Sequence, residues 1–377
     1  MKFFHVADLH LGKRYHEFSM IEDQTYILSE IVGLCKKEEP DALIIAGDVY
    51  DKSVPNIDAV ELFNDFLEKI NALSVPVLMI SGNHDSAERL AFGGKLFTAS
   101  KVYTAPVYNG KTEPVTLSDR YGEVDFWLLP FIKPATVRRF FEGEKIDSYT
   151  EAVKCAIGAM KIDEGKRNVL VCHQFVTGSS PSGSEEFNVG DIGNVDAALF
   201  EKFDYVALGH IHRRQFVGSQ KVCYSGAPLK YSLSETGEKS LTVVELGGNS
   251  LATSAIELKP LRQITEIKGS YEKLTSRDFY LNTTYRDDYI HAVLTDEEEV
   301  PDAFAKLRLI YRNLATIRYE NTRTLYSAER EEVDISTAVT PLEAFGQLYE
   351  MQNNRPLDEG QSAVVGELIE KIWGEEV

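Results

Sequence analysis

The chain reads as an α/β protein of two packed sheets flanked by helices, followed by a small α/β capping domain and a C-terminal helical hairpin. Three observations predict this. Five apolar runs, residues 3–7, 42–46, 75–81, 168–172 and 205–208, are rich in Val, Ile and Leu without polar alternation, as strands buried on both faces are. The polar clusters ending these runs recur at roughly 35–40 residues, the length of a βαβ unit, and a longer gap between Asn83 and His173 leaves room for further strands. After Pro260 the elements shorten, and the chain ends in two amphipathic segments.

Between the first three runs, residues 21–37 and 57–70 carry the apolar stripe of helices, and 126–129 and 241–246 read as later strands. Residues 289–294 read as a strand. The acidic stretch 296–299 with Pro301 signals a helix start, so 302–314 is expected to be helical and 315–319 a strand. Leu342, Phe345, Leu348 and Tyr349, then Val364, Val365, Leu368, Ile369 and Trp373, recur near helical spacing in 341–352 and 359–373. That hairpin suits either packing on its own domain or docking of a partner. The expected domains are 1–258, 259–337 and 338–377.

Each of the five runs ends in chemistry. The clusters are Asp8-Leu9-His10, Gly47-Asp48, Gly82-Asn83-His84-Asp85, His173, and Gly209-His210-Ile211-His212. In open α/β sheets, ligands gather at the carboxyl ends of strands, which puts Asp8, His10, Asp48, Asn83, His84, His173, His210 and His212 on one rim. Any one of these alone would be a helix cap or a solvated loop residue; five such clusters together predict a dinuclear metal centre. Two divalent ions about 3.5–4 Å apart need a bridging carboxylate and terminal N/O ligands. Asp48 is central in the ligand order and is assigned the bridge. Asp8, His10 and His212 would complete one site; Asn83, His173 and His210 the other. His210 and His212 are two residues apart and suit different ions. With no thiolate in the set, manganese, iron or zinc fits. His84, beside a ligand, is expected to face the substrate phosphate and stabilise transition-state oxygens or protonate the leaving one. Asp85 is a candidate to orient its ring from behind. His5, inside a strand, reads as a packed core histidine; His16 and His291 read as structural or surface residues.

Composition bounds the function. A chain of 377 residues suits two or three domains, and 43% hydrophobic content is that of a globular protein. No apolar stretch approaches the roughly 20 residues that cross a membrane, and Met1 leads straight into a strand. Cys35, Cys155, Cys172 and Cys223 lack paired spacing and read as reduced thiols of a cytoplasmic protein; alternation turns Cys172 away from His173. The net charge of −19 argues against nucleic-acid binding, which is largely electrostatic. Against that, two divalent ions would add positive charge where it is needed, and the pairs Lys13-Arg14 and Arg213-Arg214 flank the ligand loops as candidate DNA contacts. Residues 341–377 hold eight of the acids against Arg355 and Lys371. A weak DNA binder that needs a partner is the natural expectation.

The ordered clusters Asp-x-His, Gly-Asp, Gly-Asn-His-Asp, a lone His and Gly-His-x-His resemble the calcineurin-like metallophosphoesterases. Asp8-Leu9-His10-Leu11-Gly12-Lys13, Gly47-Asp48-Val49-Tyr50-Asp51, His173-Gln174-Phe175 and Ser225-Gly226-Ala227-Pro228-Leu229-Lys230-Tyr231-Ser232 resemble the SbcD nuclease subunits within that family. The resemblance implies a metallophosphoesterase sandwich and a manganese-dependent exonuclease and endonuclease acting on double-strand ends and hairpins in DNA repair and recombination. It implies a capping domain that helps place DNA over the metals, and docking of the C-terminal helices onto the SMC-like ATPase SbcC. It also implies a homodimer within a heterotetramer, built by helices near the first two metal loops, in a bacterial, nucleoid-associated setting. A small-substrate metallophosphodiesterase, or a scaffold of the same fold without chemistry, are the alternatives. No Gly-x-x-x-x-Gly-Lys loop occurs, so ATP chemistry would be the partner's.

Overall fold

The computed structural model describes residues 1–182, 194–322, 324, 341–353 and 355–373. The chain divides into two compact units, Met1–Ile264 and Thr265–Val377.

The first unit is built on two six-stranded sheets. In one, Lys2–Val6, Ala42–Ala46, Val77–Ile80 and Val102–Thr104 run parallel and in that spatial order. Lys239–Leu246 pairs antiparallel with Lys2–Val6, and Leu251–Leu258 closes that edge. The other sheet repeats the plan. Gly122–Leu129, Arg167–His173, Tyr205–Gly209 and Ser219–Tyr224 are parallel, with Pro114–Asp119 and Gln215–Val217 antiparallel at the two edges. Phe3, Ile44, Leu78 and Ile80 from one sheet meet Phe126, Val169, Val171 and Tyr205 from the other in a closed apolar layer. Side chains of opposite parity are buried as well: Phe4, Leu43, Ile45 and Met79 in the first sheet, Leu170, Cys172 and Leu208 in the second. Burial on both faces is why these strands have no polar alternation.

The crossovers are helical. Ile21–Glu38 buries Ile27, Leu28, Ile31 and Cys35; Ile57–Ala72 buries Phe63, Phe66 and Ile70. Right-handed crossovers place both on the same face of the first sheet. Asn56 caps the second of these, accepting from the Ala59 N–H at 2.9 Å. Tyr149–Gly158 packs on the outer face of the second sheet and opens with a capping box between Ser148 and Glu151. His5 is fully buried inside its strand, its Nδ1 3.0 Å from the Tyr205 hydroxyl, as a packed histidine should be.

In the second unit, Ile264–Gly269, Tyr289–Leu294 and Asn313–Tyr319 form a three-stranded sheet over a core of Ile267, Leu274, Ile290, Leu307, Tyr311 and Leu314. The helix expected over 302–314 is cut to Ala303–Arg308. Asp302 adopts a left-handed conformation (φ 55°), which delays the start. Past Arg308 the backbone turns so that the buried Tyr311 hydroxyl reaches the Leu274 carbonyl at 2.5 Å, and Asn313–Leu314 already belong to the strand. Residues 296–299 are loop: the Asp296 carboxylate accepts from the Tyr271 N–H at 2.7 Å and Glu297 from the Thr322 hydroxyl at 2.9 Å. His291 contacts the Thr316 hydroxyl at 2.7 Å. Helices Pro341–Asn353 and Glu359–Trp373 are linked by Gln361 Nε2 and the Tyr349 hydroxyl at 2.9 Å, while Leu342, Phe345, Leu348, Val364 and Leu368 remain exposed. The boundary expected at 337–338, and the acids Glu375 and Glu376, lie outside the described residues.

Candidate dinuclear metal centre

The parallel strands of both sheets deliver their carboxyl ends to one rim, and the polar clusters meet there. The rims are joined through His173, whose Nδ1 donates to the Ala46 carbonyl of the opposite sheet at 2.8 Å. Asp8 accepts from the His210 N–H at 3.0 Å and 3.2 Å, tying the first strand of one sheet to the loop leaving the other. Asp8, His10, Asp48 and His210 all have positive φ (55°, 43°, 49° and 99°), so the chain doubles back at each cluster and turns its side chain into the cleft. Close approach demands glycine beside them. A Cβ on Gly209 would lie 1.9 Å from the Ala46 carbonyl oxygen, and one on Gly82 would lie 2.1 Å from Asp48 Oδ1.

The donors assemble in two groups with Asp48 between them. On one side His10 Nε2 faces His212 Nε2 at 3.1 Å, and Asp8, His10 and His212 offer ligand atoms all within 4.8 Å of one another. On the other, Asn83 Oδ1 lies 3.0 Å from both His173 Nε2 and His210 Nδ1. Asp48 Oδ2 is 3.3 Å from His173 Nε2 and 3.8 Å from His10 Nε2. His210 and His212 thus serve different groups.

These contacts place acceptors against acceptors. His173 commits its Nδ1 proton to Ala46, so its Nε2, Asn83 Oδ1 and Asp48 Oδ2 converge where either a proton or a metal ion would satisfy them. In the metal-free protein a proton serves: burial would lower the His173 pKa, but Asp48, Asp8 and the Ala46 carbonyl outweigh it and push it up to about 9. Burial opposes ionisation of Asp48, yet His173, His10 and His84 together hold its carboxyl below the ordinary range. Burial pushes the Asp8 carboxyl up to about 6 and His10 well below its usual value. An oxygen-and-imidazole set of this kind fits divalent ions. Cys172 packs instead among Leu170 and Leu208.

His84 lies at the edge of this cluster. Its ring stands edge-on to His10 with centroids 4.7 Å apart, and its main-chain N–H donates to Asp48 Oδ1 at 2.9 Å. The Asp51 carbonyl accepts from its Nδ1 at 3.0 Å, and His84, His10 and Asp48 offer ligand atoms within 4.8 Å of one another. Asp85 does not orient that ring. Its carboxylate accepts from the main chain of Val49, Tyr50 and Gly82 at 2.9–3.1 Å and so fixes the Asp48 and Asn83 loops to each other.

Among the basic candidates, Lys13 pairs with Asp51 at 2.7 Å and lies over the Tyr231 ring, and Arg214 donates to the Thr242 hydroxyl at 3.1 Å. Arg14 and Arg213 are exposed beside the rim loops. Glu235 and Lys239, which back His212, carry no signal in the sequence because a Glu and a Lys four apart are ordinary surface pairs; only burial sets them apart. Tyr231, packed edge-on against His10 and His212, is visible in the sequence only as part of a longer motif.

Residues 1–214, which contain every candidate ligand, match the calcineurin-like phosphoesterase family. Residues 258–353 match the type 5 capsule protein repressor C-terminal domain. The chain is 37% identical over 340 residues to the SbcD subunit of the nuclease SbcCD from Staphylococcus saprophyticus, covering 89% of each chain. It is 32% identical over 385 residues to the SbcD subunit from Staphylococcus epidermidis, covering 100% of each.

Proposed function

From a chain that belongs to the calcineurin-like phosphoesterase family and, within it, to the SbcD family of nuclease subunits, we infer the metal-dependent nuclease subunit of an SbcCD complex. The observation that carries the chemistry is the convergence of Asn83 Oδ1, His173 Nε2 and Asp48 Oδ2 at 3.0–3.3 Å, a donor set suited to a divalent ion and filled by a proton in its absence.

In this reading Asp8, His10 and His212 hold one divalent ion, Asn83, His173 and His210 the other, and Asp48 both. When bound, the ions polarise the scissile phosphodiester and make water acidic enough to attack at neutral pH. Manganese is the ion we assign. His84 presents Nε2 to the non-bridging or leaving oxygen, donating when its ring is protonated, and the Asp51 carbonyl keeps it aimed. Asp85 holds the two loops in register. Lys13, Arg14, Arg213 and Arg214 steer the DNA backbone, with Arg14 and Arg213 the most accessible.

The substrates are double-stranded ends and hairpins, and the working assembly is a homodimer of this chain within a heterotetramer containing the SMC-like ATPase, located in the bacterial cytoplasm. Residues 259–337 act as a cap and 338–377 as the partner-docking segment. The exposed apolar side chains of Pro341–Asn353 and Glu359–Trp373 support that last assignment.

The net charge of −19 favours the alternative of a small phosphodiester substrate. Linear duplex DNA and a chromogenic phosphodiester, each incubated with the purified chain and manganese, separate the two. Cleavage of both, abolished by chelator, supports the nuclease. If only the small ester is cut, even with the ATPase partner added, the nuclease reading fails.

A further inference from the structure

We propose that Glu235, anchored by Lys239, is a positioning residue for His212: it holds the ring proton on Nδ1 and so turns the Nε2 lone pair toward the ion shared with Asp8 and His10. The inference rests on the metal reading above and assigns a role to two residues outside the ligand set.

Glu235 Oε1 lies 3.3 Å from His212 Nδ1, on the side of the ring away from His10. A carboxylate can only accept, so the neutral imidazole facing it carries its single proton on Nδ1. Glu235 is 2% exposed and Lys239 8%, so neither is an incidental surface charge. Lys239 pairs with Glu235 Oε2 and, with the same ammonium, donates to the His212 carbonyl at 2.7 Å. One cation thereby fixes both the partner of the His212 ring and the main chain that bears it. The Tyr231 N–H adds a third tie, donating to Glu235 Oε1 at 3.0 Å.

The two halves of the centre solve one problem by different means. His173 has its Nδ1 proton held by a main-chain carbonyl, that of Ala46. For His212 the acceptor is a carboxylate whose buried charge Lys239 helps to offset. Without Glu235, the tautomer protonated on Nε2 becomes accessible. It would direct an N–H at His10 Nε2, now 3.1 Å away, in place of a lone pair. Such partners behind a ligating histidine set both its tautomer and its basicity.

The test uses the full chain stripped of metal and titrated calorimetrically with manganese chloride. Nitrogen-15 NMR of the metal-free imidazoles reads the His212 tautomer directly. Glu235→Leu combined with Lys239→Met removes both charges at similar volume, so no unpaired buried ion remains. The expected result is that one of the two ions binds about 10–100-fold more weakly while the other is unchanged, and that the His212 Nδ1–H signature is lost. Unchanged affinities, equal weakening of both ions, or an unaltered tautomer overturn the proposal. If the double variant does not fold, Glu235→Gln, which keeps the shape and one acceptor oxygen, should weaken the same ion by a smaller factor; no weakening overturns it. A wild-type chain that binds no manganese would instead remove the metal reading itself.

Discussion

His10 and His212 direct their Nε2 atoms at one another across 3.1 Å although 202 residues separate them. Two unprotonated imidazole nitrogens this close repel, so the pair is stable only with a proton or a metal ion between them. Asp48 stands next to this pair and next to His173 as well, at 3.8 Å and 3.3 Å.

Because Asp48 is within reach of both donor groups, Asp48→Ala should lower the bound metal from two ions per chain toward none, measured by elemental analysis after desalting. Full occupancy of either position would show that the carboxylate is not shared.

His84→Ala should behave in the opposite way. Cleavage is expected to fall by about 10²–10⁴-fold, the usual worth of general acid-base help, while both ions stay bound. Loss of an ion in this variant would move His84 from the reacting phosphate into the ligand set.

Gly209→Ala should damage the fold and the centre together. Its Cβ would sit 1.9 Å from the Ala46 carbonyl oxygen and 2.7 Å from His173 Nδ1, so the two sheets must separate locally. A loss of roughly 1–3 kcal/mol in denaturant unfolding is expected, with weaker metal binding. A variant of unchanged stability would mean that the rims are less closely packed than described.

At the opposite end of the sheets, buried Arg167 binds Asp119 through two contacts of 3.0 Å and 2.5 Å. The guanidinium holds the Asp119 carboxyl well below the ordinary range. A folded pKa below the unfolded value near about 3.9 means the pair contributes fully above that pH and fades as pH falls beneath it. Asp119→Asn should therefore cost about 2 kcal/mol at pH 7, moderated because the pair borders solvent. The difference in melting temperature from wild type should shrink below pH 4. A gap that is constant from pH 7 to pH 3 would exclude this linkage.

The strands and the ligand clusters were legible because burial on both faces writes itself as an uninterrupted apolar run, and each run ended where the chemistry began. Spacing alone would have put His210 and His212 on one face, as residues two apart in a strand are; it is the turn at His210, with φ 99°, that separates them. The helix expected over 302–314 failed for a similar reason. The start signal at 296–301 was local, but Tyr311 and Leu314 are buried in the core of the three-stranded sheet, Leu314 within the strand that pairs with Tyr289–Leu294, and tertiary packing outweighed local preference.

Residue identity and order thus determined that this chain has a two-sheet α/β domain carrying a rim of Asp, Asn and His donors, because those are properties of segments a few residues long. What brings these donors within reach of one another was decided only in three dimensions. The pairing of His10 with His212, and of Asn83 with His173 and His210, depends on the order of strands across two sheets and on backbone turns at Asp8, His10, Asp48 and His210. The same holds for Asp51, Asp85 and Glu235. A carboxylate's partner is set by what the fold buries beside it, and no spacing in the chain encodes that.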